Sequence, residues 1–149
     1  MRLALLLAVL TFSATGLPPR APAELFRDPI LCGYDAAESR TGAPAWVLRG
    51  IAFAESSYRP DPQHLDPLDV GRFGLHEAPA YREERTRLYG RYDARDPYDA
   101  AYIAGRLYVD ALARLGSEDA AIAAHRQGVR GVREDGVAAW YVERVREAK

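Results

Sequence analysis

A single cysteine in 149 residues excludes an internal disulfide. Three histidines, His64, His76 and His125, stand far apart. With Cys32 they form no grouping at the spacing of a zinc site, so hydrogen-bonding or surface roles are expected for them. Excess charge is also missing. A formal net charge of -1 argues against an electrostatic grip on nucleic acid, although local basic groups could still line a groove. Internal repeats and low-complexity stretches are absent, and strand-like alternation is hard to find. No apolar run is long enough for a comfortable transmembrane helix.

What is present describes one folded domain behind a leader. Apolar residues make up 48% and charged residues 28%, a composition that is neither disordered nor coiled-coil, in a chain long enough for a core. Met1-Arg2, the apolar run Leu3 to Phe12 and the small residues Ser13-Ala14-Thr15-Gly16 read as an export signal over residues 1–16. Ala21-Pro22-Ala23 offers a later cleavage point, as late as 23, and an uncleaved anchor is the competing reading. Cys32 follows Pro29-Ile30-Leu31 rather than small residues, so a half-buried thiol on a helix is expected instead of a lipid anchor.

The remainder, residues 24–149, predicts a compact all-α domain of five or six helices. Glu24 to Ser39 reads as the first, broken at Thr41-Gly42. Pro44 opens the second at a position where its missing N–H costs little, and Val47, Leu48, Ile51 and Ala54 recur at helical spacing. Arg59 to Gly74, with three prolines and two glycines, predicts a long irregular loop, and such loops in compact domains are often functional. A short polar helix is expected over Pro79 to Leu88. Asp96-Pro97-Tyr98-Asp99 is a strong start for the next, with Ile103, Leu107, Ala111 and Leu115 as its buried stripe. Ser117 caps a helix expected to end at Gly128. After a connection through Gly136, a last helix places Val137, Trp140, Tyr141 and Val145 on its apolar side.

Glu55 is the most informative residue. It closes the apolar helix Trp46 to Ala54, just before Ser56-Ser57-Tyr58 and the helix-hostile Pro60-Asp61-Pro62. Apolar surroundings favour the neutral form of a carboxylic acid. A neutral carboxyl can donate a proton to a leaving group, which is the chemistry of glycosidic bond cleavage. By itself the position reads more readily as a surface carboxylate at a helix end.

Four segments in order change that balance. Ile51-Ala52-Phe53-Ala54-Glu55-Ser56-Ser57-Tyr58 is similar to a catalytic Glu-Ser motif at the end of an apolar helix. Gly71-Arg72-Phe73-Gly74-Leu75-His76-Glu77 is similar to a Gly-Leu-Met-Gln segment that walls a sugar groove. Ala104-Gly105-Arg106-Leu107-Tyr108, followed by Ala121-Ile122-Ala123-Ala124-His125-Arg126-Gln127-Gly128, looks like an Ala-Gly-x-x-Tyr-Leu helix and an Ala-Tyr-Asn-Ala-Gly motif. Tyr141-Val142 is similar to a Tyr-Val pair whose tyrosine faces the catalytic acid. From about Ile30 onward the chain therefore resembles the catalytic domain of lytic transglycosylases, the group related to goose-type lysozyme. Glu77 replaces the family's Gln, His76 its Met, and His125-Arg126 its Tyr-Asn.

The resemblance implies a lysozyme-like fold, export to the periplasm or cell envelope, and peptidoglycan as the partner polymer. It implies no cofactor, no metal, and no stable membrane insertion once the signal is removed. Glu55 is then the catalytic residue, acting without a second carboxylate. Ser56, Gly74, Leu75, Glu77, His125, Arg126 and Tyr141 are the expected substrate-binding positions. Ser56 is either a helper or a hydroxyl satisfying its own helix. Tyr141 either orients the carboxylate or the substrate's acetamido group, or is a core aromatic with a hydrogen-bonded tip. Glu77 either meets an N-acetyl group or opens the next helix. Asp66 or Asp69, facing Glu55 across a water, would instead make a muramidase; the prolines around them favour turn-stabilising roles. A non-catalytic peptidoglycan-binding domain is the remaining alternative.

Overall fold

A computed structural model describes residues 29–148, with side chains from Gly33 onward. The expected export signal, its cleavage sites, the competing anchor and the Cys32 thiol lie outside what is described. The described chain is all-α, with α1 Pro29–Thr41, α2 Ala45–Ser56, α3 Pro79–Tyr89, α4 Pro97–Leu115, α5 Glu118–Asp135 and α6 Ala139–Glu147. One minimal hairpin, β1 Asp69–Val70 and β2 Leu75–His76, interrupts the long segment between α2 and α3. Its strands run antiparallel, with Asp69 opposite His76 and Val70 opposite Leu75. No described helix is long and apolar enough to cross a membrane.

Local chemistry accounts for most element ends. Asp96 Oδ1 accepts from the Tyr98 and Asp99 amides at 2.9 and 3.0 Å, and Pro97 occupies the first turn of α4, where no donor is lost. Ser117 Oγ accepts from the Ala120 amide and opens α5. α1 runs two residues beyond the expected Ser39, because Thr41 Oγ1 donates back to Ala37 O at 2.7 Å and accepts from Ala43 N at 3.1 Å.

Three expectations are refined by packing. Gly128 leaves helical geometry (φ 71°, ψ 161°), so the first part of α5 stops where expected, but the stretch after it, expected as a connection, is helical to Asp135. Buried Val132 and the Arg130–Glu134 ion pair one turn apart support that second half. α6 begins at Ala139, which turns Tyr141, Val142 and Val145 inward and leaves Val137 and Trp140 exposed. On α4 the stripe of alanines with Ile103 and Tyr108 is the buried side, while Leu107 and Leu115 are only half-buried. α4 packs between α1 and α5, so small residues bring it close to both.

The core lies where α1, α2, α4, α5 and α6 meet, with Val47, Leu48, Ile51, Ile103, Ile122 and Val145 fully buried. α2 packs mainly on α6. A Cβ at Gly50 would lie 2.3 Å from the Val145 carbonyl oxygen and 2.5 Å from Val145 Cγ1. Glycine, unfavourable in a helix interior by about 1 kcal/mol relative to alanine, is what lets the two backbones approach. The turn into α6 is tied to α5 by one side chain. The Gln127 amide donates to Gly136 O at 3.1 Å and accepts from Ala138 N at 3.0 Å.

Candidate active site

Glu55 emerges in the last turn of α2, and the backbone turns away sharply behind it. Ser57 and Tyr58 both adopt positive φ, 51° and 64°. Left-handed geometry at a non-glycine residue costs roughly 1–2 kcal/mol, and the Ser57 amide closing on Phe53 O at 2.8 Å helps offset it. This exit throws the following segment back over the end of α2. His64 Nε2 donates to Gly71 O at 2.8 Å, and its ring carbon Cε1 comes 3.4 Å from the position a Gly74 Cβ would take.

A trough of about 940 Å³ opens in front of Glu55. The hairpin region supplies one wall with Asp66, Asp69, Gly74, Leu75 and His76. α3 and α4 contribute Tyr81, Tyr89, Leu107 and Asp110, and the bend of α5 contributes His125, Arg126, Gln127 and Gly128. The Glu55 side chain is only 8% exposed, so its carboxylate is recessed rather than presented to bulk water.

Each carboxylate oxygen has its own neighbour. Tyr141 O–H donates to Glu55 Oε1 at 2.7 Å across the α2–α6 contact. Burial first, and then the adjacent Glu55 carboxylate, hold the Tyr141 hydroxyl well above the usual phenol pKa. The phenol therefore stays protonated and remains a donor. Arg126 Nη1 lies 3.8 Å from Glu55 Oε2. Gly74 closes the third side. A Cβ there would sit 3.0 Å from Glu55 Oε2, on a backbone with φ +57°, so a side chain would both strain the turn and push the carboxylate.

His125 holds this wall in place. Its Nε2 meets Phe73 O at 2.7 Å, and a carbonyl can only accept, so Nε2 carries the proton. The bond joins α5 to the residue before Gly74. Leu75 is buried and lines the trough beside it.

Ser56 and Glu77 are placed elsewhere. Ser56 is buried and its Oγ donates to Ala52 O at 2.7 Å, the helix-satisfying role. Glu77 Oε1 accepts from Arg85 Nη1 at 3.0 Å and from Tyr92 O–H at 2.6 Å, and its side chain is 9% exposed. Neither residue lines the trough. Glu77 instead fastens the hairpin to α3 and to the segment before α4, a long-range role that residue spacing does not reveal.

Asp66 and Asp69 do line the trough, but both carboxylates are engaged. Asp66 Oδ1 accepts from the Leu68 amide at 2.8 Å, a turn-stabilising bond. Asp69 Oδ1 accepts from His76 Nδ1 at 2.9 Å. The donor atoms of Asp66, Asp69 and His76 lie within 4.8 Å of one another, the nearest approach to a cation cradle among the described residues. The His76–Asp69 hydrogen bond and the Asp66 turn already account for two of the three positions, and Asp66 Oδ2 stands 3.6 Å from His76 Nδ1. His64 was not singled out by its sequence position. Its place beside Gly74 depends on the path of the long loop, which local pattern does not encode.

No family model, curated protein or solved structure matches this chain.

Proposed function

We propose that this chain is a peptidoglycan lytic transglycosylase that cleaves the β-1,4 bond between N-acetylmuramic acid and N-acetylglucosamine, with Glu55 as its single general acid and base. The observation that carries the reading is the recessed Glu55 carboxylate, open to a trough and held at one oxygen by the Tyr141 phenol. Neutral Glu55 gives its proton to the glycosidic oxygen as the C1–O bond breaks. The substrate's acetamido oxygen closes on C1 and carries the positive charge, a substrate-assisted route that needs no second carboxylate. Glu55, now a carboxylate, takes the proton from the C6 hydroxyl. O6 then displaces the acetamido oxygen at C1, leaving a 1,6-anhydro end and restoring the neutral acid. Export to the periplasm or cell envelope belongs to this reading, since the substrate lies there.

The hydrolytic alternative needs Asp66 or Asp69 as a free base. One oxygen of each is held within the loop, by the Leu68 amide and by His76, a structural role that favours the single-acid route. Mass spectrometry of fragments released from peptidoglycan sacculi separates the two. Anhydro ends are expected; reducing ends, heavier by one water, would make the protein a muramidase.

Tyr141→Phe tests the phenol as a positioning residue. Losing a hydrogen bond to a charged group is expected to lower kcat about tenfold with little change in KM. A kcat that matches the parent would leave Tyr141 only a packing role.

A further inference from the structure

Arg126 is the one cation placed against Glu55 among the described residues, and its contact is loose. At 3.8 Å the pair exceeds hydrogen-bond length, and the Arg126 side chain is 46% exposed while that of Glu55 is 8% exposed. Of the other arginines in the trough lining, Arg85 and Arg130 are committed by hydrogen bonds to Glu77 and Glu134, and Arg114 makes no ion pair with Glu55. Arg126 has no such bond. Its guanidinium can turn into the trough and present its planar donor fork, the geometry that binds a carboxylate at both oxygens.

Electrostatics gives the ligand's charge. Arg126 puts an exposed positive group at the trough beside Glu55, where a ligand carboxylate gains charge-assisted hydrogen bonds. A neutral sugar gains only an ordinary hydrogen bond from it.

We infer that Arg126 is a specificity-determining residue that recognises a carboxylate carried by the glycan strand. This rests on the proposed reading of the trough as a glycan site. The carboxylate has two sources, the lactyl ether of muramic acid where no peptide is attached, and the acidic residues of a stem peptide.

The test is titration of the full chain, followed by NMR, with three disaccharides that lack the scissile bond. These are N-acetylglucosaminyl-N-acetylmuramic acid with its free lactyl carboxylate, the same sugar with L-alanyl-D-isoglutamine amide-linked to the lactyl group, and chitobiose, which has no carboxylate. At least one carboxylate-bearing ligand is expected to bind about tenfold more tightly than chitobiose. Preference for the first assigns the lactyl group, and preference for the second assigns the peptide. Arg126→Asn is expected to bring the affinity ratio near one, and Arg126→Lys, a point charge without the fork, to give an intermediate ratio. A ratio near one in the parent chain, or one that survives Arg126→Asn, overturns the inference. Muropeptide release from sacculi is scored in parallel. Cleavage without discrimination removes Arg126's role and leaves the enzyme reading intact; discrimination without cleavage removes the enzyme reading and leaves a carboxylate-selective binding site.

Discussion

Glu55→Gln is expected to lower release of soluble muropeptides from sacculi by roughly a thousandfold. Proton transfer by a positioned side chain contributes typically 10²–10⁴-fold, and here one group would serve both as donor and as acceptor. The substitution is close to isosteric. A glutamine carbonyl can still accept from Tyr141, so the α2–α6 contact keeps its polar bridge. The Arg126 contact that is lost is half-exposed on the arginine side and long, worth no more than about 1 kcal/mol. Circular dichroism and thermal melting should therefore overlay the parent to within a few degrees. Unchanged release by a folded Gln variant would remove Glu55 from the chemistry and leave a wall-binding domain as the better description.

Gly50→Ala carries a large expected effect on stability. The new methyl would fall 2.3 Å from a backbone oxygen of α6, an atom that cannot rotate out of the way. α2 and α6 must move apart, and Val145, at the centre of their contact, loses its packing. Overpacking of this kind costs typically 1–3 kcal/mol, and the backbone clash places Gly50→Ala at about 3 kcal/mol. For a domain of this size that is a fall of ~10 °C in Tm. The same displacement separates the Tyr141 hydroxyl from Glu55, so kcat should drop at temperatures where the variant is still folded. A melting curve that matches the parent would mean the helices have slack that the Gly50 contact does not suggest.

Legibility of the sequence follows the range of the forces involved. The start of α4 was readable because Asp96, Pro97 and Asp99 act within one turn. The break at Gly128 is legible in the sequence, and the helical stretch that follows it is not. Gly128 truly departs from helical angles, but burial of Val132 restarts the helix, and burial is set by the rest of the fold. Trp140 illustrates the same limit. An indole looks like a core residue until the first turn of α6 fixes which side faces inward. The hairpin strands are too short to show an alternating pattern. At the site, Glu55 announced itself locally through its apolar helix. Tyr141, 86 positions away, was singled out through resemblance in motif order, not through any local signal. The Glu77–Arg85–Tyr92 cluster and the place of His64 join residues across loops, where no periodicity operates.

The carboxamide of Gln127 behaves as a clasp for the carboxy-terminal part of the domain. One of its ends holds the peptide at Gly136 and the other the peptide at Ala138, closing the chain between them into a ring. Because Gln127 also borders the trough and Tyr141 follows three residues after Ala138, the trough border and the phenol on Glu55 share one mooring. A shift at the start of the last helix therefore pulls on the trough border through these two bonds.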